Sequence, residues 1–366
     1  MFDAQLKALE EVGFDISDCI LDKKDKTIGW LCTYVPEEII HASGFHPVRI
    51  EGSGNPVRKA DALLHNNMCP FVRSVLDDAI EGKMSNLSGI VISNSCDAMK
   101  RLFDAWSVFL ENDTLYYLSP PKRINDSNIS FYAGELRDFA DALNLNCPGK
   151  ITVGSLKKSI KIFNETRFLM AKVSRLAGSD SLSGYTAFNI MHMAVRCNRE
   201  QFNIKLKEFL DRFTPEKNNE KGIRVLLTGC MIDRADQIKL IQDSGAKITV
   251  NELCTGSRQF DLMVSEHGDP FEALAERYIK KASCSRMMNI NERIDYLIRL
   301  AKENRIDGVI YYIIKFCDNY IWDLPKIKDA FNNTGIPVLD VEGDYIKGSF
   351  GPLKTRIQAF VESIEN

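Results

Sequence analysis

Two stretches of this 366-residue chain end in the same way. Gly308 to Asp318 reads GVIYYIIKFCD, and Gly89 to Asp97 reads GIVISNSCD. In each, a continuous run of β-branched and aromatic residues, with no polar alternation, stops at a Cys-Asp pair and gives way to helical periodicity. A strand that is apolar on both faces has to be covered on both faces, which is the situation of a parallel sheet flanked by helices. Cysteines at the ends of such strands fall where α/β sheets build their sites.

The remaining elements fit the same architecture. Thr27 to Cys32 reads as a short strand. Pro36 to Gly44 reads as a helix, with proline in its first turn and glycine closing it, and His46 to Ile50 reads as a second strand. A strand, helix, strand order makes the pair parallel by the right-handed crossover rule. The order returns near the end of the chain. Gly222 to Cys230 is a strand, Ala235 to Ser244 a helix, and Lys247 to Val250 a strand leading to Cys254. This is the pattern of an internal duplication of a flavodoxin-like unit.

A chain of this length exceeds one ordinary core. The expected division is an N-terminal flavodoxin-like α/β domain over 1–134, a helical insert over 135–214, and a C-terminal flavodoxin-like α/β domain over 215–366. The charged linker Thr214 to Lys221 marks the second boundary. At the N-terminus a helix and a turn at Asp22 to Asp25 are expected. In the C-terminal domain helices are expected at Pro270 to Ala282, Asn291 to Asn304, Pro325 to Phe331 and Gly351 to Ile364, with a strand at Ile336 to Val341.

Composition narrows the function. A formal charge of −3 with 27% charged residues predicts no general affinity for nucleic acid or anionic lipid. The acidic amphipathic start is no signal peptide, and no apolar run reaches the roughly 20 residues of a membrane helix, so a cytoplasmic protein is expected. Ten cysteines in a reducing compartment point to metal ligation, redox chemistry or burial rather than disulfides. Pro70 directly after Cys69 suits a first helical position, placing that sulfur at a helix N-terminus, where the dipole and free amides favour thiolate.

Five segments then carry a resemblance: CTYVPEEIIHASG from Cys32, CPFVRS from Cys69, SCDAMKR from Ser95, KFCD from Lys315 and TRIQAF from Thr355. Together they resemble the 2-hydroxyacyl-CoA dehydratase and benzoyl-CoA reductase family, over most of the chain except the helical insert. The resemblance implies an oxygen-sensitive iron–sulfur cluster between two flavodoxin-like domains, with Cys69, Cys96 and Cys317 on a [4Fe–4S] cubane. Three thiolates on four irons leave one iron open to a substrate oxygen or a bridging sulfide. Thr228-Gly229-Cys230 stands where dehydratase subunits more often carry serine after the glycine. Cysteine there resembles the double-cubane branch, which implies an [8Fe–9S] cluster with Cys230, Cys254 and Cys284 as further ligands and Cys32 as the alternative sixth.

The implied function is a low-potential iron–sulfur reductase acting on small molecules. The alternatives are a dehydratase or benzoyl-CoA reductase subunit with one [4Fe–4S] cluster, eliminating water from a CoA thioester by a radical mechanism, and a non-enzymatic electron carrier. No Walker or GxGxxG glycine loop occurs, so nucleotide hydrolysis belongs to a separate partner. The resemblance implies an ATP-dependent iron–sulfur activator, and either a homodimer or a heterodimer with a paralogous subunit. Other residues read as ordinary. Cys19, Cys147 and Cys197 are expected as plain thiols, and the five histidines show no ligand spacing. Trp30, Trp106 and Trp322 are expected in the core. Arg49, Arg73, Arg258 and Arg356 are surface ion-pairing residues by default, able to meet CoA phosphates. Glu37 and Glu38 complement a helix dipole.

Overall fold

The structure, a computed structural model, describes residues 2–14, 26–110, 114–215, 222–346, 348 and 350–366. The turn expected at Asp22 to Asp25, Cys19, and most of the Thr214 to Lys221 linker lie outside the described residues.

Two four-stranded sheets, parallel at every pairing, frame the molecule. The first contains β1 (Thr27–Leu31), β2 (His46–Arg49), β3 (Gly89–Ser93) and β4 (Leu115–Leu118), in the order β2-β1-β3-β4. The second contains β5 (Ile223–Gly229), β6 (Ala246–Glu252), β7 (Gly308–Ile314) and β8 (Val338–Gly343), in the order β6-β5-β7-β8. The two orders are the same pattern displaced by four strands. Every residue of β3 and of β7 is buried, as their unbroken apolar runs require.

Helices α1 (Phe2–Glu11), α2 (Glu37–Ala42), α3 (Pro70–Ile80) and α4 (Asp97–Phe109) accompany the first sheet. Between the sheets in sequence run α5 (Asp126–Asn144), α6 (Val153–Gly178), α7 (Gly184–Ala194) and α8 (Arg199–Arg212). The first of these starts nine residues before Glu135, because the Asn125 side chain accepts from the amide of Asn128 at 2.8 Å and caps it there. After β5 in the chain come α9 (Ala235–Asp243), α10 (Ser257–Phe260), α11 (Pro270–Lys280), α12 (Ile290–Glu303), α13 (Asp318–Asn332) and α14 (Gly351–Glu365); of these, α11 packs against α5. One helix boundary corrects the sequence reading. α13 does not begin at Pro325 but runs from Asp318 with the proline inside it.

One apolar core joins strands of both sheets and takes in Cys69, Cys96, Cys230, Cys284 and Cys317. A second core packs the helices α5 to α8 onto the first sheet. Buried ion pairs pin α2 to these helices. Arg199 donates to Glu37 at 2.6 Å, Arg167 pairs with Glu38, and the Tyr278 hydroxyl donates to Glu38 at 2.8 Å. Glu37 and Glu38 are therefore buried partners of guanidinium groups rather than solvated first-turn acids. Trp30 and Trp106 are buried, but Trp322 is 80% exposed, against its expected core position. Among the described residues no helix is long and apolar enough to cross a membrane.

Candidate metal centre

In each sheet the first and third strands to appear in the chain lie side by side at the point where the strand order reverses, the place where open α/β sheets bind ligands. The cysteines follow this symmetry. Cys32 comes directly after β1 and Cys230 directly after β5, while Cys96 follows β3 by three residues and Cys317 follows β7 by three.

Cys69, Cys96 and Cys317 share one local structure, each being the residue that precedes the first turn of a helix. No side chain caps these helices, so their first amides are free to reach the sulfurs. The amides of Phe71 and Val72 near Cys69, of Met99 near Cys96, and of Asn319 and Tyr320 near Cys317 favour the thiolates. Pro70 sits at the first helical position of α3, where its missing N–H costs nothing.

Cys230 is delivered by glycine. Gly229 has φ of +115°, and a Cβ there would run into the Tyr312 backbone of the neighbouring strand. The amide of Cys230 donates to the Tyr312 carbonyl at 2.7 Å, and its thiol lies near those of Cys317 and Cys69. Backbone strain marks the same region: Cys32 has φ of +80° and Phe316, next to Cys317, has φ of +61°.

Burial dominates the acidity of these thiols. Cys69 is pushed up to about 12 by desolvation and then by Cys317, against the amides of its helix. Cys96 is likewise pushed up to about 12 by burial. The low pKa expected for Cys69 at a helix N-terminus is thus overturned, since desolvation outweighs the dipole. Cys230 also rises through burial, whereas Cys317 is lowered, first of all by the neighbouring Cys230 thiol.

Cys32, Cys254 and Cys284 form a flank to this group. Arg49 donates to the Cys254 carbonyl at 2.7 Å and to its sulfur at 3.4 Å. The Tyr34 hydroxyl stands 3.7 Å from the sulfur of Cys284, and burial, then the nearby Cys284, raises the thiol of Cys32. The hydroxyl of Tyr320 faces Cys230, Cys254 and Cys284 together and accepts from Arg258 at 2.6 Å. Arg258 is itself buried and doubly paired with Glu252, which corrects its reading as a surface residue. Arg49 is buried too. Arg73 pairs with Asp61, and Arg356 donates to the Asp340 carbonyl at 2.7 Å.

Tyr34, Tyr320 and Arg286 are not singled out by the sequence. Their only signal is proximity: each lies two or three residues from Cys32, Cys317 or Cys284. The other cysteines stand apart. Cys147 lies against Asn144. Cys197 is disulfide-bonded, contrary to the plain thiol expected, and the eight remaining described cysteines are free.

Among the described residues no three His, Cys, Asp or Glu side chains converge on a single ion. A cubane makes no such demand, because each thiolate attaches to a different iron. A buried, thiol-rich space supplied with backbone amides suits such a group. A cavity of about 230 Å³ is lined by Pro70 and Phe316, the chain neighbours of Cys69 and Cys317, together with Arg73, Lys315 and Tyr345, and by no cysteine. A larger one of about 630 Å³, lined by Arg49, Glu51, His192 and Asp233, opens beside Cys254.

The family described as 2-hydroxyglutaryl-CoA dehydratase, D-component, matches residues 32–364. The beta subunit of (R)-phenyllactyl-CoA dehydratase from Clostridium sporogenes is 29% identical, covering 93% of this chain and 92% of its own. One of the subunits of benzoyl-CoA reductase from Thauera aromatica is 25% identical over 94% and 92%. The beta subunit of (R)-2-hydroxyglutaryl-CoA dehydratase from Acidaminococcus fermentans is 23% identical over 93% and 92%.

Proposed function

The chain belongs to the 2-hydroxyglutaryl-CoA dehydratase D-component family, and from that premise we propose that it is an iron–sulfur reductase of the double-cubane [8Fe–9S] type. One observation carries the cluster type. The thiols of Cys69, Cys96, Cys230, Cys284 and Cys317 share one interior core fed by both sheets, with Cys32 near Cys284 and Cys254 held by Arg49 at its flank, and a single cubane offers four corners. In this reading Cys69, Cys96 and Cys317 hold one cubane, and Cys230, Cys254 and Cys284 the other.

The bound group would supply electrons at low potential. The residues around it have separable tasks. The amides opening α3, α4 and α13 stabilise thiolates that burial alone disfavours. The buried Arg258–Glu252 pair fixes the Tyr320 hydroxyl against the second set of sulfurs. Flavodoxin-like domains on either side exclude water, and the cavities beside Cys69 and Cys254 give a small molecule its approach. Electrons are to come from a separate ATP-dependent iron–sulfur activator, and the protein is to act as a homodimer or beside a paralogous subunit.

A second reading has its own support. The relatives are named as beta subunits of dehydratases and as part of a reductase, and the neighbours that act on the Cys230 thiol are Cys317 and Cys69 rather than Cys254. On that reading the chain is one subunit with a single [4Fe–4S] cluster, eliminating water from a CoA thioester. Anaerobic iron and sulfide counting separates the two, at about eight irons per chain against about four.

A further inference from the structure

Two contacts in the thiol region pass from residues of the first sheet's half of the molecule to cysteines of the second. Arg49 closes β2, and its guanidinium meets both the carbonyl and the sulfur of Cys254, at 2.7 and 3.4 Å. Tyr34 lies in the turn between β1 and α2, with its hydroxyl 3.7 Å from the sulfur of Cys284. The two contacts repeat one arrangement: a side-chain donor from one half faces a sulfur from the other.

Both donors are fixed in place. Arg49 is 5% exposed and stacks over Trp30, 5.4 Å from the ring centre. Tyr34 is 1% exposed, and its carbonyl accepts from the Tyr132 hydroxyl at 2.6 Å. Arg286 and Lys281 lie over the Tyr34 ring, at 4.3 and 4.9 Å from its centre. Cations on the ring face hold the aromatic plane. Main-chain amides opening a helix lie beside the sulfurs of Cys69, Cys96 and Cys317, with the Cys230 thiol also beside Cys317. The contacts of Cys254 and Cys284 are with the side chains of Arg49 and Tyr34.

We propose that Arg49 and Tyr34 are positioning residues that donate hydrogen bonds to the sulfurs of Cys254 and Cys284 and thereby raise the reduction potential of the iron–sulfur group those cysteines hold. The inference rests on the cluster reading above. An added electron makes the sulfurs more negative, so a donor or a positive charge beside them stabilises the reduced state more than the oxidised one. Removing Arg49 takes away a full charge and two bonds, and removing the Tyr34 hydroxyl takes away one neutral donor.

The test is an EPR-monitored redox titration, with iron counting, of anaerobically purified wild type, Arg49→Gln, Tyr34→Phe, the double variant, and Arg212→Gln as a surface control. The expected result is unchanged iron per chain with a midpoint shifted negative, further in Arg49→Gln than in Tyr34→Phe and furthest in the double variant. The control should stay at the wild-type value. Should Arg49→Gln fail to fold, Arg49→Lys keeps the charge and Tyr34→Phe keeps the ring, and both should still shift negative. Iron-loaded variants that titrate at the wild-type potential overturn this inference and leave the cluster reading standing. Iron-free wild type overturns the cluster reading and this inference with it.

Discussion

The thiols of Cys230 and Cys317 are neighbours at the ends of adjacent parallel strands. Cys230, before any other neighbour, holds Cys317 below the usual range of a cysteine, while burial first and then Cys317 raise Cys230 above it. In metal-free, reduced protein, Cys317 should therefore be alkylated by iodoacetamide faster than Cys69 or Cys96 near pH 8. Cys230→Ala should slow it, since the neighbour that stabilises the thiolate is gone. Peptide mass mapping after timed alkylation reads both effects, and equal Cys317 rates in the two proteins would contradict this effect of Cys230 on Cys317.

Asp233 predicts a pH effect on stability. Burial and the nearby Glu51 raise its carboxyl to about 7, against the help of Tyr345, His192 and Arg49. A raised carboxyl favours the folded state fully below its unfolded pKa of about 4, and that contribution is lost as pH rises through about 7. Asp233→Asn, which stays neutral, should gain in melting temperature relative to wild type as pH rises from 5 to 8. A gap that does not grow over this interval would show that Asp233 ionises freely in the fold.

The ion pairs beneath α2 predict a larger effect. Arg167 pairs with Glu38, and both side chains are almost wholly buried. Replacing Arg167 with Met leaves a carboxylate without its main counter-charge, which costs about 3–5 kcal/mol. Replacing Arg212, whose partner Glu208 is exposed, should cost under about 1 kcal/mol. Thermal unfolding of the two variants side by side checks the contrast, and comparable losses would contradict it.

Gly229 tests how Cys230 is presented. Its φ of +115° and its approach to Tyr312 leave no room for a methyl group. Gly229→Ala should lose iron to about the extent that Cys230→Ser does, because the side chain forces the strand end away from β7. Retention of full iron by Gly229→Ala would mean that Cys230 is not held by this turn.

Much of the frame is legible in the sequence, because unbroken apolar runs ending in cysteine admit few alternatives to buried parallel strands. The twin order of strand, helix and strand also points to both sheets. The departures have identifiable reasons. Pro325 suggests a helix start, yet α13 runs through it from Asp318, held by the burial of Tyr320 before the proline and of Ile327 and Phe331 after it. Trp322 follows apolar periodicity but faces outward. The acidity of Cys69 goes against the sequence expectation because a helix terminus is visible in sequence and the depth of burial is not. Arg49, Arg258, Glu37 and Glu38 look like surface charges in the sequence, and the pairing that buries them appears only once the chain is folded. Tyr34 and Tyr320 give no signal beyond standing near cysteines.

The central claim is that thiols from both halves of the chain hold two joined cubanes, with Cys230 among their ligands. Iron and acid-labile sulfide per chain, measured anaerobically on wild type and on Cys230→Ser, test it most directly. The account predicts about eight irons in wild type and a clear loss in the variant. About four irons in wild type, unchanged by Cys230→Ser, would contradict it and leave the single-cluster dehydratase subunit as the better description.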